Sequence, residues 1–376
     1  MTRVLVLAFT EIAGDVRVRR HVEALLPAHE VTTCGAGAGV DGAEHLGFAT
    51  GTPIWPMTPG YMSLQAVGAT EAAYWRSPAV VAARARLGGS RFDLVLCNDI
   101  ETLPLALAVA DGAPVLADLH EYAPEQFAED WRWRLVRRRF LNRLCARYLP
   151  RATAVMTASP GYGTEYQRVY GIAPPETIIN ASSGRRPAFR PTGDPIRVVH
   201  SGIGTRNRQI ERMVDAASDI AGITLDLLLP ARNPRDRAYV AELTARAAAT
   251  TNVRVVPPVP LEGVPEALDA YDVGIFVLPP TTAHKALTLP NKIYEWLQSG
   301  LGVIVGPSPV MGRVVQDLEI GMVTESFETA DIRRALVDLD AAAVDGWKRR
   351  AVVAAQTETA EREAERLRAL VGRLLS

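Results

Sequence analysis

Lys292 and Glu295 stand three residues apart in Leu287-Thr-Leu-Pro-Asn-Lys-Ile-Tyr-Glu-Trp-Leu-Gln-Ser-Gly300, a spacing that puts an ammonium and a carboxylate on one face of a helix. Pro290 suits the first turn of such a helix, where its missing N–H costs nothing, and Gly300 suits the C-terminal cap. A helix placed this way points its first, unpaired N–H groups at a ligand and favours an anion. The carboxylate can accept from the 2′- and 3′-hydroxyls of a ribose while the lysine takes a diphosphate. The same spacing also suits a plain surface Glu–Lys pair.

A second stretch, Ser201-Gly-Ile-Gly-Thr-Arg-Asn-Arg208, follows an apolar strand pattern. Gly202 and Gly204 let backbone approach a phosphate, and Arg206 and Arg208 stand at the start of the next helix. When a bond to a diphosphate breaks, charge develops on the leaving group. Without a metal, cationic side chains must stabilise it. Arg208 is preferred for this task and Arg206 is the close second; two solvated loop arginines are the bland alternative. In the first half, Leu116-Ala-Asp-Leu-His-Glu121 closes another strand pattern. A histidine at the carboxyl end of a parallel strand is well placed to face substrate, which singles out His120. Asp99 and Glu121 are the acceptor-side candidates nearby.

The elements that must hold these residues alternate. Strand patterns cover 4–9, 30–34, 93–97, 114–118 and 154–158, then 196–201, 225–229, 253–256, 273–278 and 302–305. Most are unbroken apolar runs, the pattern of strands covered on both faces. Helical patterns lie between them, among them 16–26, 209–221, 235–249 and 291–299. Repeated strand–helix units imply parallel sheets with right-handed crossovers. The series runs twice, and 180–195, rich in Pro, Gly and Ser, reads as the linker. The expected division is a first domain over 1–185, a second over 186–345, and a helical segment over 346–376 that packs back toward the first. Two doubly wound domains would bind ligand in a cleft between them, outside the carboxyl ends of their strands.

Composition narrows the class. The 376 residues carry a formal net charge of −1, so no overall field points to nucleic acid. Cys34, Cys97 and Cys145 are odd in number and form no CxxC pair, which argues against a disulfide framework or a zinc site. A reducing, cytoplasmic setting fits. No apolar window is long enough to span a bilayer.

In this order and separation, the motifs resemble the family-4 glycosyltransferases of the GT-B superfamily. The family's C-terminal half carries a strand, a glycine turn and a basic residue, and later a segment like "LPNK(I/L)(Y/F)E(Y/W)…GxxVI"; here these are 196–208 and Leu289 to Val305. The N-terminal Gly14-Asp-Val-Arg-Val-Arg-Arg20 and Asp118-Leu-His-Glu121 are similar to its "DxRVxR" and "DxHE" segments. The resemblance implies an α/β fold of GT-B type, with two Rossmann-like domains facing each other across a cleft. The N-terminal domain would bind acceptor and the C-terminal domain a nucleoside-diphosphate sugar. It implies that Glu295 binds the donor ribose, that Lys292 and the Arg206/Arg208 region hold the diphosphate, and that backbone near Pro258 and Val259 meets the base. Thr288, Leu289 and Asn291 complete the donor set, Gly14 sits beside the diphosphate, and His120 contacts the donor sugar. The reaction would be retaining, with no metal or other cofactor, moving a hexose-type sugar to a saccharide, a lipid-linked sugar or a natural product.

One position departs from the pattern. Where many retaining members have a second glutamate, eight residues before the ribose carboxylate, this chain has Leu287. His284 and Lys285 are then candidates for the sugar contact. Leu287 also keeps open a non-transferase of the same fold: a nucleotide-sugar epimerase, a pseudo-glycosidic coupling enzyme, or an inactive sugar-nucleotide binder.

Two further signals are weighed differently. Gly37-Ala-Gly-Val-Asp-Gly42 matches GxGxxG but follows the second strand and precedes no helical pattern, so it reads as a glycine loop. Residues 131–151 hold eight arginines and no acidic residue, with Leu141, Leu144, Cys145, Tyr148 and Leu149 on one helical face. The plain reading is a helix packed on the N-terminal domain. The sharper one is a docking surface for a polyanionic acceptor or for anionic lipid at the inner face of a membrane, to which Trp131 and Trp133 are suited.

Overall fold

The structure is a computed structural model and describes residues 1–260 and 263–376. Two all-parallel sheets organise it. The first has seven strands in the order β3-β2-β1-β4-β5-β6-β7: β1 Thr2–Glu11, β2 His29–Ala36, β3 Glu44–Phe48, β4 Leu94–Asn98, β5 Val115–Leu119, β6 Ala154–Thr157 and β7 Glu176–Thr177. The second has six in the order β10-β9-β8-β11-β12-β13: β8 Ile196–Ser201, β9 Ile223–Leu228, β10 Val253–Val256, β11 Val273–Phe276, β12 Gly302–Val305 and β13 Gly321–Val323. Helices connect successive strands of each sheet except β2 and β3, so each sheet is doubly wound. Val4, Val6, Leu94, Leu96 and Leu116 are fully buried in the first core, and Val198, Leu227, Val273 and Ile275 in the second. Strands covered on both faces must be apolar throughout, which is why those runs were legible. No helix among the described residues is long and apolar enough to cross a membrane.

The chain divides into two compact units. One is Met1–Ile179 with Thr282–His284 and Glu363–Ser376; the other is Asn180–Thr281 with Lys285–Arg362. The division thus falls at Ile179 rather than at 185. The expected terminal segment 346–376 is not one piece. Helix Ala341–Ala354 buries Val344 in the second core and ties Lys348 to the buried Asp272 at 2.8 Å. Helix Ala360–Leu375 buries Leu367, Leu370 and Val371 in the first. Apolar contact, not sequence adjacency, assigns each helix to its unit.

Three local readings change. The GxGxxG stretch is a loop, with Gly37 at φ +68° and Gly42 at φ +86°, but it leads directly into strand β3. That strand lies at the sheet edge and is half-exposed, so it lacks the apolar run that marks a central strand. The helix expected over 209–221 begins only at Glu211, because Gln209 takes a left-handed φ of +51° after a 3₁₀ turn at Arg206–Arg208. The basic stretch is segmented into helix Trp131–Trp133, a π-helical turn Arg134–Arg138 and helix Arg139–Tyr148. Its stripe from Leu141 to Leu149 is buried, Trp131 is exposed, and Arg138 and Arg147 pair with Glu125 and Glu71.

Candidate active site

Each sheet reverses its strand order once, between β1 and β4 and between β8 and β11. Loops leave in opposite directions at such a point and open a crevice at the carboxyl ends of the strands. The candidate residues gather at these two places.

In the second unit, β8 ends at Ser201 and the chain turns through Gly202 at φ +140°. A Cβ built on Gly202 would lie 2.5 Å from Lys292 Nζ and 2.7 Å from Arg208 Nη1. Two cations therefore converge on bare backbone, and glycine is what makes room for them. Lys292 Nζ donates to the Ser201 carbonyl at 2.6 Å and sits 3.9 Å above the Phe276 ring; Arg208 also lies over that ring and donates to the Ile203 carbonyl at 3.3 Å. Burial and the Arg208 charge push the Lys292 ammonium well below its ordinary pKa, with Glu295 acting in the opposite direction. Burial followed by the Arg232 charge lowers Arg208 as well. Beneath them His200 is fully buried. Its Nδ1 donates to the Ile275 carbonyl at 2.9 Å, while Nε2 and the nearby Ser201 hydroxyl have no partner.

The two arginines turn to different surroundings. Arg206 swings out to Glu242, with Nη2 2.6 Å from Oε1, and lies over the Tyr239 ring. Arg208 alone of the two faces Lys292. The helix carrying Lys292 and Glu295 is short, Asn291–Leu297; Pro290 occupies its N-cap position rather than its first turn, and Gly300 is left-handed at φ +68°. Lys292 is buried, Glu295 half-buried, Thr288 half-buried, Leu289 buried and Asn291 exposed. Gly204 packs its bare backbone against Val240, where a Cβ would come within 2.3 Å. Pro258 and Val259 lie exposed just past β10.

The neighbours of Leu287 are engaged within the protein. Lys285 Nζ donates to the Asn207 carbonyl at 2.6 Å and to Thr281 Oγ1 at 2.9 Å, so it braces the 206–208 turn. His284 belongs to the first unit, stacked on Tyr162 at 5.4 Å with its Nε2 3.3 Å from Glu121.

In the first unit, His120 follows β5. Its Nε2 donates to Asp118 Oδ2 at 2.9 Å, and its Nδ1 lies 3.5 Å from Asp99 Oδ2. Burial disfavours the imidazolium, but Asp99 and Asp118 outweigh it and raise the His120 pKa to about 9. Asp118 itself is fully buried and grips Arg17 in a fork, at 2.7 Å to Nε and 2.6 Å to Nη2. Burial would raise the Asp118 carboxyl, yet Arg17, His120 and His21 hold it far below the usual range. Asp99 sits left-handed at φ +64° and accepts from the His120 backbone N–H at 3.0 Å. Burial and the Asp99 charge raise Glu121 to about 7, and Tyr162 donates to it at 3.1 Å. Asp15 caps its helix through the Arg17 and Val18 amides, with exposed Gly14 just before it.

Sequence reading missed the link between the two N-terminal motifs. Arg17 turns inward from "DxRV" to neutralise Asp118 of "DxHE". A buried carboxylate requires such a partner, and the arginines at 17, 19 and 20 of that helix start gave the only available signal. Among the described residues, no three His, Cys, Asp or Glu side chains gather as a metal site.

Solved structures share the fold along 99–100% of the chain. Sucrose-phosphate synthase from Thermosynechococcus elongatus is similar at a TM-score of 0.75 with 15% identity, covering 100% of this chain and 99% of that one. HepE of Anabaena, solved with UDP and glucose, is similar at a TM-score of 0.66 with 14% identity, covering 99% and 100%. An α,α-trehalose-phosphate synthase (UDP-forming) from Burkholderia vietnamiensis is similar at 0.67 with 11% identity, covering 100% and 99%. The fold is that of the GT-B glycosyltransferases. No protein-family model matches the chain, and no curated protein does.

Proposed function

We propose that the chain is a glycosyltransferase that moves a sugar from a nucleoside-diphosphate sugar to an acceptor hydroxyl, with retention and without a metal. The convergence of Lys292 Nζ and Arg208 Nη1 on the bare backbone of Gly202 carries this reading. A buried Lys292 and a half-buried Arg208, each disfavoured as a cation by burial and by a neighbouring positive charge, call for an anion that enters between them. A diphosphate at the carboxyl end of β8 meets that demand. Glu295, close enough to act on the Lys292 charge, takes the ribose hydroxyls. As the bond from the anomeric carbon to the diphosphate breaks, Lys292 and Arg208 receive the developing charge in a place already shaped for it. The acceptor oxygen bonds to the same face of that carbon, and its proton passes to the departing diphosphate. His120, held as imidazolium by Asp118 and Asp99, is a donor fixed in orientation for a sugar hydroxyl. The relatives solved with UDP or named UDP-forming support a uridine nucleotide as the first donor to try.

A thermal-shift screen with UDP, GDP, TDP and ADP sugars tests the assignment, since a ligand that binds only the folded state raises its stability. Glu295→Ala should weaken the best nucleotide by about 2–3 kcal/mol, the loss expected when polar ligand groups lose a charged partner. No shift with any nucleotide, or an unchanged affinity in Glu295→Ala, would count against the proposal. Slow donor hydrolysis without acceptor separates a transferase from a silent binder.

A further inference from the structure

Nine buried side-chain polar atoms among the described residues lack a hydrogen-bond partner, and four of them belong to one cluster: Tyr61 Oη, both amide atoms of Gln65, and Arg137 Nη1. Gln65 lies near enough to act on the Tyr61 hydroxyl, but not in hydrogen-bonding geometry. Buried polar groups are ordinarily satisfied, so this cluster is an unmet demand for a ligand. Tyr61 and Gln65 are four residues apart on helix Pro59–Ala66 and share a face; Gln65 is 1% exposed. Arg137 is turned inward by the π-helical turn Arg134–Arg138, a distortion that breaks the helical ladder and recurs at functional sites. Its guanidinium lies 5.1 Å above the Trp55 ring, and its charge acts on both Tyr61 and Glu101. Glu101 follows Asp99 just past β4, at the carboxyl edge where substrates of such sheets bind.

We infer that Tyr61, Gln65 and Arg137 line an acceptor subsite for a neutral, hydroxyl-rich group of the sugar class. The inference rests on the transferase reading and adds the acceptor to it. The orphan set mixes donors with acceptors: the guanidinium only donates, the amide oxygen only accepts, and the phenol does both. A hydroxyl also does both, so a polyol satisfies all four atoms at once. An anion would satisfy Arg137 but would face Glu101 and Asp99. A purely apolar group would satisfy nothing.

The test uses the full chain, with the methyl glycosides of glucose, mannose and galactose as neutral probes and glucose 6-phosphate as the anionic one. Affinities are measured by calorimetry beside that of the best nucleotide. Wild type should bind at least one neutral glycoside more tightly than the phosphate sugar. Gln65→Leu should weaken that glycoside by about tenfold or more. It should leave nucleotide affinity unchanged and the ligand-free melting temperature equal or higher, because it removes an unsatisfied buried amide. A lower melting temperature would show that the amide has a structural partner and would overturn the subsite. So would an unchanged glycoside affinity, a preference for the phosphate sugar, or no glycoside binding. Absence of nucleotide binding in wild type would instead sink the transferase reading.

Discussion

Replacing Gly202 with alanine probes the proposed donor site at the point where it is tightest. The new Cβ would stand 2.5 Å from Lys292 Nζ and 2.7 Å from Arg208 Nη1, against ordinary contact from 3.4 Å, so both cations must retreat by most of an ångström. Lys292 has little room to do so, being buried between the Ser201 carbonyl at 2.6 Å and the Phe276 ring at 3.9 Å. The backbone adds strain, since φ is +140° and a side chain there costs about 1–3 kcal/mol. Displacing two cations from a diphosphate removes hydrogen bonds to charged groups worth about 1.5–3 kcal/mol each. Allowing for partial retention, nucleotide affinity should fall by about 2–4 kcal/mol, roughly thirty- to several-hundredfold. Calorimetric titration with the best nucleotide measures this, and urea unfolding of the same preparation reads the strain separately. A folded Gly202→Ala protein that binds nucleotide within about twofold of wild type would refute the idea that these cations hold the diphosphate.

Two further outcomes follow from the charges. Because burial and Arg208 depress the Lys292 pKa in the empty site, an entering diphosphate should raise it, so that binding at a pH between the empty-site and bound values draws a proton from solution. The binding heat should then vary with the buffer's ionisation enthalpy and cease to vary in Lys292→Met; buffer-independent heats in wild type would exclude a depressed lysine. His120 bears on folding. Its pKa is about 9 folded against 6.5 unfolded, so the stability it supplies is complete below pH 6.5 and is lost as pH rises through 9. At about 1.4 kcal/mol per unit the span amounts to about 3 kcal/mol. His120→Gln should flatten urea-unfolding stability over that window, and an identical decline in the variant would show that other groups cause it.

The fold was legible because its central strands are buried on both faces. Runs such as Val4–Phe9 and Val198–Val199 admit no other reading once they alternate with helical patterns. Strand β3 and the three-residue β13 were not legible, because edge strands with half-exposed faces carry no apolar run. In the donor site, Lys292 and Arg208 were visible from their motifs, but the choice between Arg208 and Arg206 was not. Two residues apart on a 3₁₀ turn, they point to different surroundings, and only the position of Glu242, distant in sequence, explains why Arg206 leaves. The Arg17–Asp118 pair was hidden for the same reason, since its partners are separated by 101 positions. The subsite at Gln65 shows no motif at all; it exists only as an absence of hydrogen bonds.

The two units handle charge in opposite ways, and this divides the chemistry between them. In the first, the cations at the carboxyl end of β5 are matched: Asp118 takes Arg17 in a fork and also holds His120, so the imidazolium is fixed and has little reason to move. In the second, Lys292 and Arg208 face each other across a glycine, with backbone carbonyls and one half-buried carboxylate as partial compensation. A matched network orients a ligand without gaining much from its charge. An under-compensated pair gains most from an anion, and gains more as that anion's charge grows. A sugar bound to a diphosphate becomes a free diphosphate during transfer, so its negative charge rises along the reaction. On the proposed function, the second unit would therefore favour the state in which the bond is breaking, and that bias, more than tight binding of the intact donor, is what a transferase requires.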